Sequence, residues 1–215
     1  GAYKQTGGTL GGDGNLLVTG GATWVDGAML GNGTTTFQGA LDMTAAGSRE
    51  IRTRTVNTAG TTTYGLGQVS AITYLSTGAT LNNSGTWVDQ SNGNGGISQY
   101  LGAASKFVNS GTYNKTGAGT TTISTAFNNS GAVNVQAGTL SLSGGGVSNG
   151  NVQIGSAGTL AFTGGTYGLN AAGLSGTGTL LDNYGTVNLT GSTTFAGTLA
   201  VQNGTFNIAD TLSLS

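Results

Sequence analysis

The chain has 215 residues, 43 of them glycine, with no proline, cysteine or histidine and a net charge of −1 from 6 basic and 7 acidic side chains. Glycine without a three-residue period excludes a collagen helix, and so few charges cannot keep a disordered chain in solution. Lacking cysteine, histidine and a basic face, the chain has no zinc set, no Ser-His or Cys-His nucleophile and no means of tracking phosphates, so neither a cofactor nor a nucleic-acid partner is expected.

No apolar run of about 18 residues suits a transmembrane helix. The start at Gly1 carries no charged-then-apolar leader and reads as a mature or excised piece. Helical periodicity is missing, and glycine interrupts nearly every window. What alternates has period two, as in Val133-Asn134-Val135 and Val187-Asn188-Leu189. Short strands between Gly, Asn and Ser turns are predicted throughout.

In chain order, Gly11-Gly12-Asp13-Gly14 is a single, unrepeated likeness to a calcium-binding glycine turn. Trp24-Val25-Asp26 returns as Trp87-Val88-Asp89, close to three repeat lengths later. The segments Gly39-Ala40-Leu41-Asp42-Met43 and Gly60-Thr61-Thr62-Thr63-Tyr64 match the later repeat weakly. Between them, Arg49, Glu50, Arg52 and Arg54 concentrate the charge of the chain. By strand alternation Glu50, Arg52 and Arg54 share one face. That face is either a solvated surface that discourages edge pairing or, with Arg49, Arg52 and Arg54 as contacts, a ledge for anionic or glycan ligands. Threonine triplets at 34–36, 61–63 and 120–122 are expected in strands, since an ice-binding array would need one on most turns.

From Asn83 onward a phrase recurs: Asn83-Ser84-Gly85-Thr86-Trp87, Asn109-Ser110-Gly111-Thr112-Tyr113, Asn129-Ser130-Gly131-Ala132-Val133, Asn149-Gly150-Asn151-Val152, Asn183-Tyr184-Gly185-Thr186-Val187 and Asn203-Gly204-Thr205-Phe206. Aligned on it, Trp87, Tyr113, Val133, Val152, Tyr167, Val187 and Phe206 form one apolar ladder at steps of about 20 residues, with a longer step before Tyr113 and a shorter one before Tyr167. The next inward column holds Asp89 and Lys115 in adjacent copies. Either the two stack as opposite charges near the core, or the chain after Trp87 shifts register and both face water. Residues 90–106 overrun the period and are expected to form an excursion loop. A second strand per coil is marked by Gly-Thr-Leu at Gly138, Gly158, Gly178 and Gly197, with Leu140, Leu142, Leu160, Phe162, Leu199 and Val201 inward.

A repeat this short cannot bury a core alone, so each copy must stack on its neighbours. The fold expected is all-β: one parallel β-helix (β-solenoid) domain over 1–215, right-handed by the crossover rule, with about ten rungs spaced about 4.8 Å apart. The phrases Phe127-Asn128-Asn129-Ser130-Gly131 and Gly138-Thr139-Leu140-Ser141-Leu142-Ser143-Gly144-Gly145-Gly146 resemble the repeats of large secreted bacterial surface proteins, the β-solenoid adhesins of the autotransporter-passenger and filamentous-haemagglutinin kind. The resemblance implies an extracellular or cell-surface location and a non-enzymatic structural role, as an adhesin stalk or filament subunit, with a glycan-binding surface module as the alternative.

The seven acids, Asp13, Asp26, Asp42, Glu50, Asp89, Asp182 and Asp210, are scattered singly, which disfavours the clustered carboxylates of polysaccharide-cleaving solenoids. The alternating strand Thr211-Leu212-Ser213-Leu214-Ser215 stops without a cap, so either the chain is cut from a longer protein or the next protomer stacks there, end-to-end self-association through terminal rungs being the partner expected.

Overall fold

A computed structural model of the chain describes residues 1–67 and 71–215. It is a parallel β-solenoid of about 10 turns. Every strand pairing recorded in it is parallel, and each links residues one coil apart, as in Val133 with Val152 or Val187 with Phe206. Among the described residues the one helical segment is a single 3₁₀ turn at Ala171–Gly173.

Each coil has three faces. In the middle of the rod the chain runs along Thr80–Asn83 and turns at Ser84-Gly85. It continues along Thr86–Ser91, then Gly95–Gln99, and returns to the starting face at Lys106–Asn109. The face containing Thr80–Asn83 is a ten-stranded sheet of its own. The other two merge into a fifteen-stranded sheet, because long strands such as Ala132–Leu142 and Asn151–Phe162 span both without a break.

The coil is not of one length. It takes 19 residues from Asp13 to Asn32, 25 from Asn57 to Asn82 and 26 from Asn83 to Asn109. It returns to 20 from Asn183 to Asn203 and 19 from Asn188 to Asn207. The longer middle coils explain why the first half of the repeat is hard to align by eye. They also reshape the expected excursion over 90–106. Gly95–Gln99 is a regular strand between Ala71–Ser76 and Thr120–Ile123, so the projecting part is confined to residues 92–94 and 100–105.

The single apolar ladder divides into two. Trp87, Tyr113, Val133 and Val152 do stack, and the next residue above Val152 is Leu174. Tyr167, Val187 and Phe206 stack on a different face, one that also carries Leu81, Phe107 and Phe127. The Asn-x-Gly phrase serves two corners of the coil: Asn83, Asn109 and Asn129 lead into the first ladder, and Asn183 and Asn203 into the second. The short step before Tyr167 is the mark of that change of corner. The two Trp-Val-Asp triplets lie three coils apart on one face but two residues out of register. Trp87 tops the column of Ala22, Leu41 and Thr62, not the column of Trp24.

The interior is a thin apolar core threaded by aromatic rings. Trp87 stacks on Tyr113 with ring centres 6.4 Å apart and planes within 10°. Phe107 bridges from the opposite face, 5.3 Å from both Trp87 and Phe127. The packing leaves a small, mainly apolar-lined cavity of about 20 Å³ between Phe127, Val133, Leu142 and Phe162. At the last coil burial fades: Leu199 and Phe206 are half-buried, and Val201, Ile208 and Leu214 are exposed. Val201 was expected inside, and its register partner Asp182 is fully buried, but the described residues place no coil above it.

A polar ladder and a glycine column hold the corner that contains Ser84-Gly85. The first is buried: Asn83 Nδ2 donates to Asn109 Oδ1 at 2.7 Å, Asn109 Nδ2 to Asn129 Oδ1 at 2.8 Å, and Asn129 Nδ2 to Ser148 Oγ at 3.0 Å. Thr58 Oγ1 joins it from below, 3.1 Å from Asn83 Oδ1. Every buried amide thereby has a partner in the next coil, so a polar side chain can occupy a core position without an unsatisfied group. The second is a column of glycines two residues on, Gly85, Gly111, Gly131 and Gly150. There a methyl group would fall 2.0–2.1 Å from the carbonyl oxygen of the glycine one coil earlier. Glycine is required here by close approach, not by backbone angle. The three threonine triplets lie in Thr34–Phe37, Thr61–Gly67 and Thr120–Ile123, on three different faces, so they form no common array.

Candidate functional site

The arginine cluster does not form a shared outer ledge. In the strand Gly47–Arg52 the alternation puts Arg49 and Ile51 inside and Glu50 and Arg52 outside. Thr53 then takes a left-handed turn (φ 58°), which resets the alternation and sends Arg54 into the core. Arg49 is fully buried. Its Nε donates to Trp24 O at 2.6 Å, and Nη2 donates to the carbonyls of Met43 at 3.1 Å and Ala45 at 2.9 Å. Burial lowers its pKa from the ordinary arginine value, with Tyr64, Asp26 and Asp42 opposing.

Arg54 donates to Thr35 Oγ1 at 2.8 Å and to the carbonyls of Gly12 and Gly14, both at 2.8 Å. Both guanidiniums are thus buried and tied to backbone carbonyls, and cannot meet a ligand. Of the three, Arg52 alone is at the surface, paired with Glu50 through Nε–Oε1 at 2.9 Å and Nη2–Oε2 at 3.0 Å. This is the one ion pair among the described residues.

Asp89 and Lys115 occupy neighbouring positions in the ladder, and both are fully buried, so the stacked reading describes their placement. They nevertheless use other partners. Asp89 Oδ2 accepts from the Tyr113 hydroxyl at 2.7 Å and Oδ1 from the Ser91 amide at 3.0 Å. Lys115 Nζ donates to the carbonyls of Ser91, at 3.0 Å, and Gly117. Burial lowers the Lys115 pKa against the pull of Asp89, and burial followed by the Asp89 charge pushes that of Tyr113 well up. The group braces the turn that leaves the face of Thr86–Ser91. It is sealed from solvent, and neither nucleophile nor acid in it faces an opening.

Asp182 is a different case. Its Oδ1 accepts from the Gly185 amide at 3.2 Å, and its buried Oδ2 has no partner among the described residues. Burial raises its pKa above the usual carboxylate value, with the Gly185 bond opposing. A carboxyl whose folded-state pKa is raised holds its proton more tightly in the native state. Stability is therefore greatest below the unfolded carboxylate pKa and declines as pH rises through the raised value. Thermal melts followed between pH 4 and 7 should fall across that window, and Asp182→Asn should remove the step and melt a few degrees higher at pH 7. A variant that melts no higher than the parent would contradict this account.

One surface feature has mixed chemistry. The outer side of the face that contains Gly95–Gln99 carries Glu50 beside Tyr74, and Arg52 beside Ser76, in adjacent coils. Tyr100, in the projecting segment of the next coil, leans back so that its ring lies 5.0 Å from that of Tyr74 at 49°. Tyr100 and Leu101 are exposed by 57% and 51%, in a molecule that buries Tyr64 and Tyr113 completely. Ser76 Oγ fixes Glu50 with a 2.9 Å bond. The segment under Tyr100 is braced by Gln99, whose Oε1 accepts from the Ser105 amide at 2.8 Å, and by the Thr77 amide, which donates to Leu101 O at 2.7 Å. Periodicity marked residues 90–106 as an overrun, and charge density marked Arg52. That Tyr74 would join them required the register of the coils.

Elsewhere, Asp13 Oδ1 accepts from the Asn32 amide at 2.8 Å, so the Gly11–Gly14 turn carries its acid as a link between coils. Among the described residues no three His, Cys, Asp or Glu side chains converge as metal ligands. Likewise, no helix is long and apolar enough to cross a membrane. Comparison of the chain with protein-family models, with curated proteins and with solved structures finds no match.

Proposed function

We propose that the chain is a non-enzymatic structural element of the bacterial cell surface or extracellular matrix, a length of rod that serves as an adhesin stalk or as the subunit of a self-assembling filament. The observation that carries this reading is the continuity of the ladders. Glycine, asparagine and apolar columns each pass from coil to coil, so the specific chemistry of the sequence is directed to stacking along one axis. The near absence of charge favours the same use, since successive coils, or successive molecules, can approach without repulsion.

Negative-stain microscopy over a rising concentration series separates the versions. Filaments that lengthen with concentration assign the subunit role, and single rods about 50 Å long at every concentration assign the stalk. Compact or irregular particles would overturn both. Location is tested by labelling intact producing cells with an antibody to the rod, where a signal only after lysis would contradict a surface role. New reducing ends released from a polysaccharide panel would replace the structural reading with an enzymatic one.

A further inference from the structure

We infer that the ledge formed by Tyr74, Tyr100, Glu50 and Arg52 is a binding site for a neutral polysaccharide, one sugar ring lying against the two tyrosines while the charged pair takes its hydroxyls. The proposal is independent of the rod reading above. Four observations carry it.

The first is the aromatic geometry. Tyr74 and Tyr100 pack against each other, ring centres 5.0 Å apart and inclined at 49°, into one aromatic patch of which Tyr100 is the more exposed part. The electron-rich faces of aromatic rings attract polarised hydrogens, and the C–H face of a pyranose presents a row of them.

The second is burial. Most large aromatics of this chain are buried, yet Tyr100 and Leu101 stand more than half exposed on the outside of the rod, Tyr184 being the other tyrosine so exposed. Placed on a projecting segment, they add nothing to the core.

The third is charge. Arg52 and Glu50 neutralise each other through two hydrogen bonds, so the ledge offers polar groups without a net charge. An acidic polymer would have to compete with Glu50 for the guanidinium. A neutral sugar hydroxyl can donate to the carboxylate and accept from the remaining guanidinium hydrogens without breaking the pair.

The fourth is preorganisation. Tyr74 and both charged residues lie on strands, Ser76 holds Glu50, and Gln99 and Thr77 brace the segment carrying Tyr100. Little side-chain freedom is left to lose on binding.

The test is affinity electrophoresis of the full 215-residue chain through gels containing hydroxyethyl cellulose, laminarin, galactomannan or dextran, with heparin as the acidic arm. At least one neutral polymer should retard the protein, and heparin should not. Tyr100→Ala and Tyr74→Ala should each weaken that retardation about tenfold with thermal melts unchanged for Tyr100→Ala. Tyr184→Ala, which removes an exposed tyrosine from another face, should bind as the parent does. The proposal is overturned if no neutral polymer retards the chain, if heparin alone does, or if Tyr100→Ala binds normally. It is equally overturned if Tyr100→Ala instead abolishes association between chains, which would assign the ledge to a contact between copies. None of these outcomes alters the rod reading, because the ledge takes no part in the ladders.

Discussion

Gly131→Ala should destabilise the rod by about 3 kcal/mol or more, although it adds one methyl group at a surface corner. A Cβ there would fall 2.0 Å from the carbonyl oxygen of Gly111 and 2.6 Å from that of Ser110. Both are backbone atoms held by the stacking itself, for the amides of Ser130 and Gly131 donate to Asn109 O at 2.9 and 3.2 Å. Relief therefore requires two coils to separate, which would stretch the Asn109–Asn129 bond inside the same corner. In a linear array each coil is stabilised by its neighbours, so a defect at mid-rod weakens the coupling between two halves. Denaturation followed by circular dichroism should show an early, broadened transition for Gly131→Ala. Ser130→Ala, at the exposed position one residue before, should lie within about 0.5 kcal/mol of the parent. Equal melts for the two variants would mean that the glycine column is not under contact.

The sequence displays this corner openly, and the reason is physical. Where a glycine must face a glycine and an amide an amide, the same residues have to return at every turn, so stacking constraints become a visible repeat. Parallel strands, the axial period and the Gly-Thr-Leu column over Gly138, Gly158 and Gly178 were legible for that reason. Two things were not. A three-faced coil reuses one turn chemistry at different corners, so Asn129 and Asn183 look alike although they introduce different faces. And side-chain alternation is a property of an unbroken strand. The left-handed turn at Thr53 reverses it, so counting by twos from Glu50 places Arg54 outside when it lies inside. No local residue type announces that turn, because threonine is seldom found at positive φ. The ledge was legible only in its parts, since Glu50, Tyr74 and Tyr100 meet through coils of 24 residues, longer than the 19 to 20 of the clear repeat.

The same reversal sets the second large effect. Arg54→Ala should destabilise the protein by about 4 kcal/mol, whereas Arg52→Ala, two residues earlier, should change stability by about 0–1 kcal/mol. Arg52 is a half-exposed partner of Glu50, and such pairs gain little in water. Arg54 reaches across three successive turns of chain: Nε to Thr35 Oγ1 at 2.8 Å, Nη1 to Gly12 O at 2.8 Å and Leu30 O at 3.3 Å, Nη2 to Gly14 O at 2.8 Å. Its planar fork satisfies the carbonyls of Gly12 and Gly14 in the first turn and of Leu30 at the end of its strand, and its removal leaves them facing a void. Arg54→Lys keeps the charge but has no fork to span acceptors so far apart, and should recover only part of the loss. Because coils unfold from the ends, the damage should be local. Amide exchange in Arg54→Ala should accelerate most between Gly12 and Thr35, while the amides of the Asn109–Asn129 corner keep their protection. Uniform acceleration along the rod, or a melt of Arg54→Ala matching that of Arg52→Ala, would show that the guanidinium is not the clamp of the first coils.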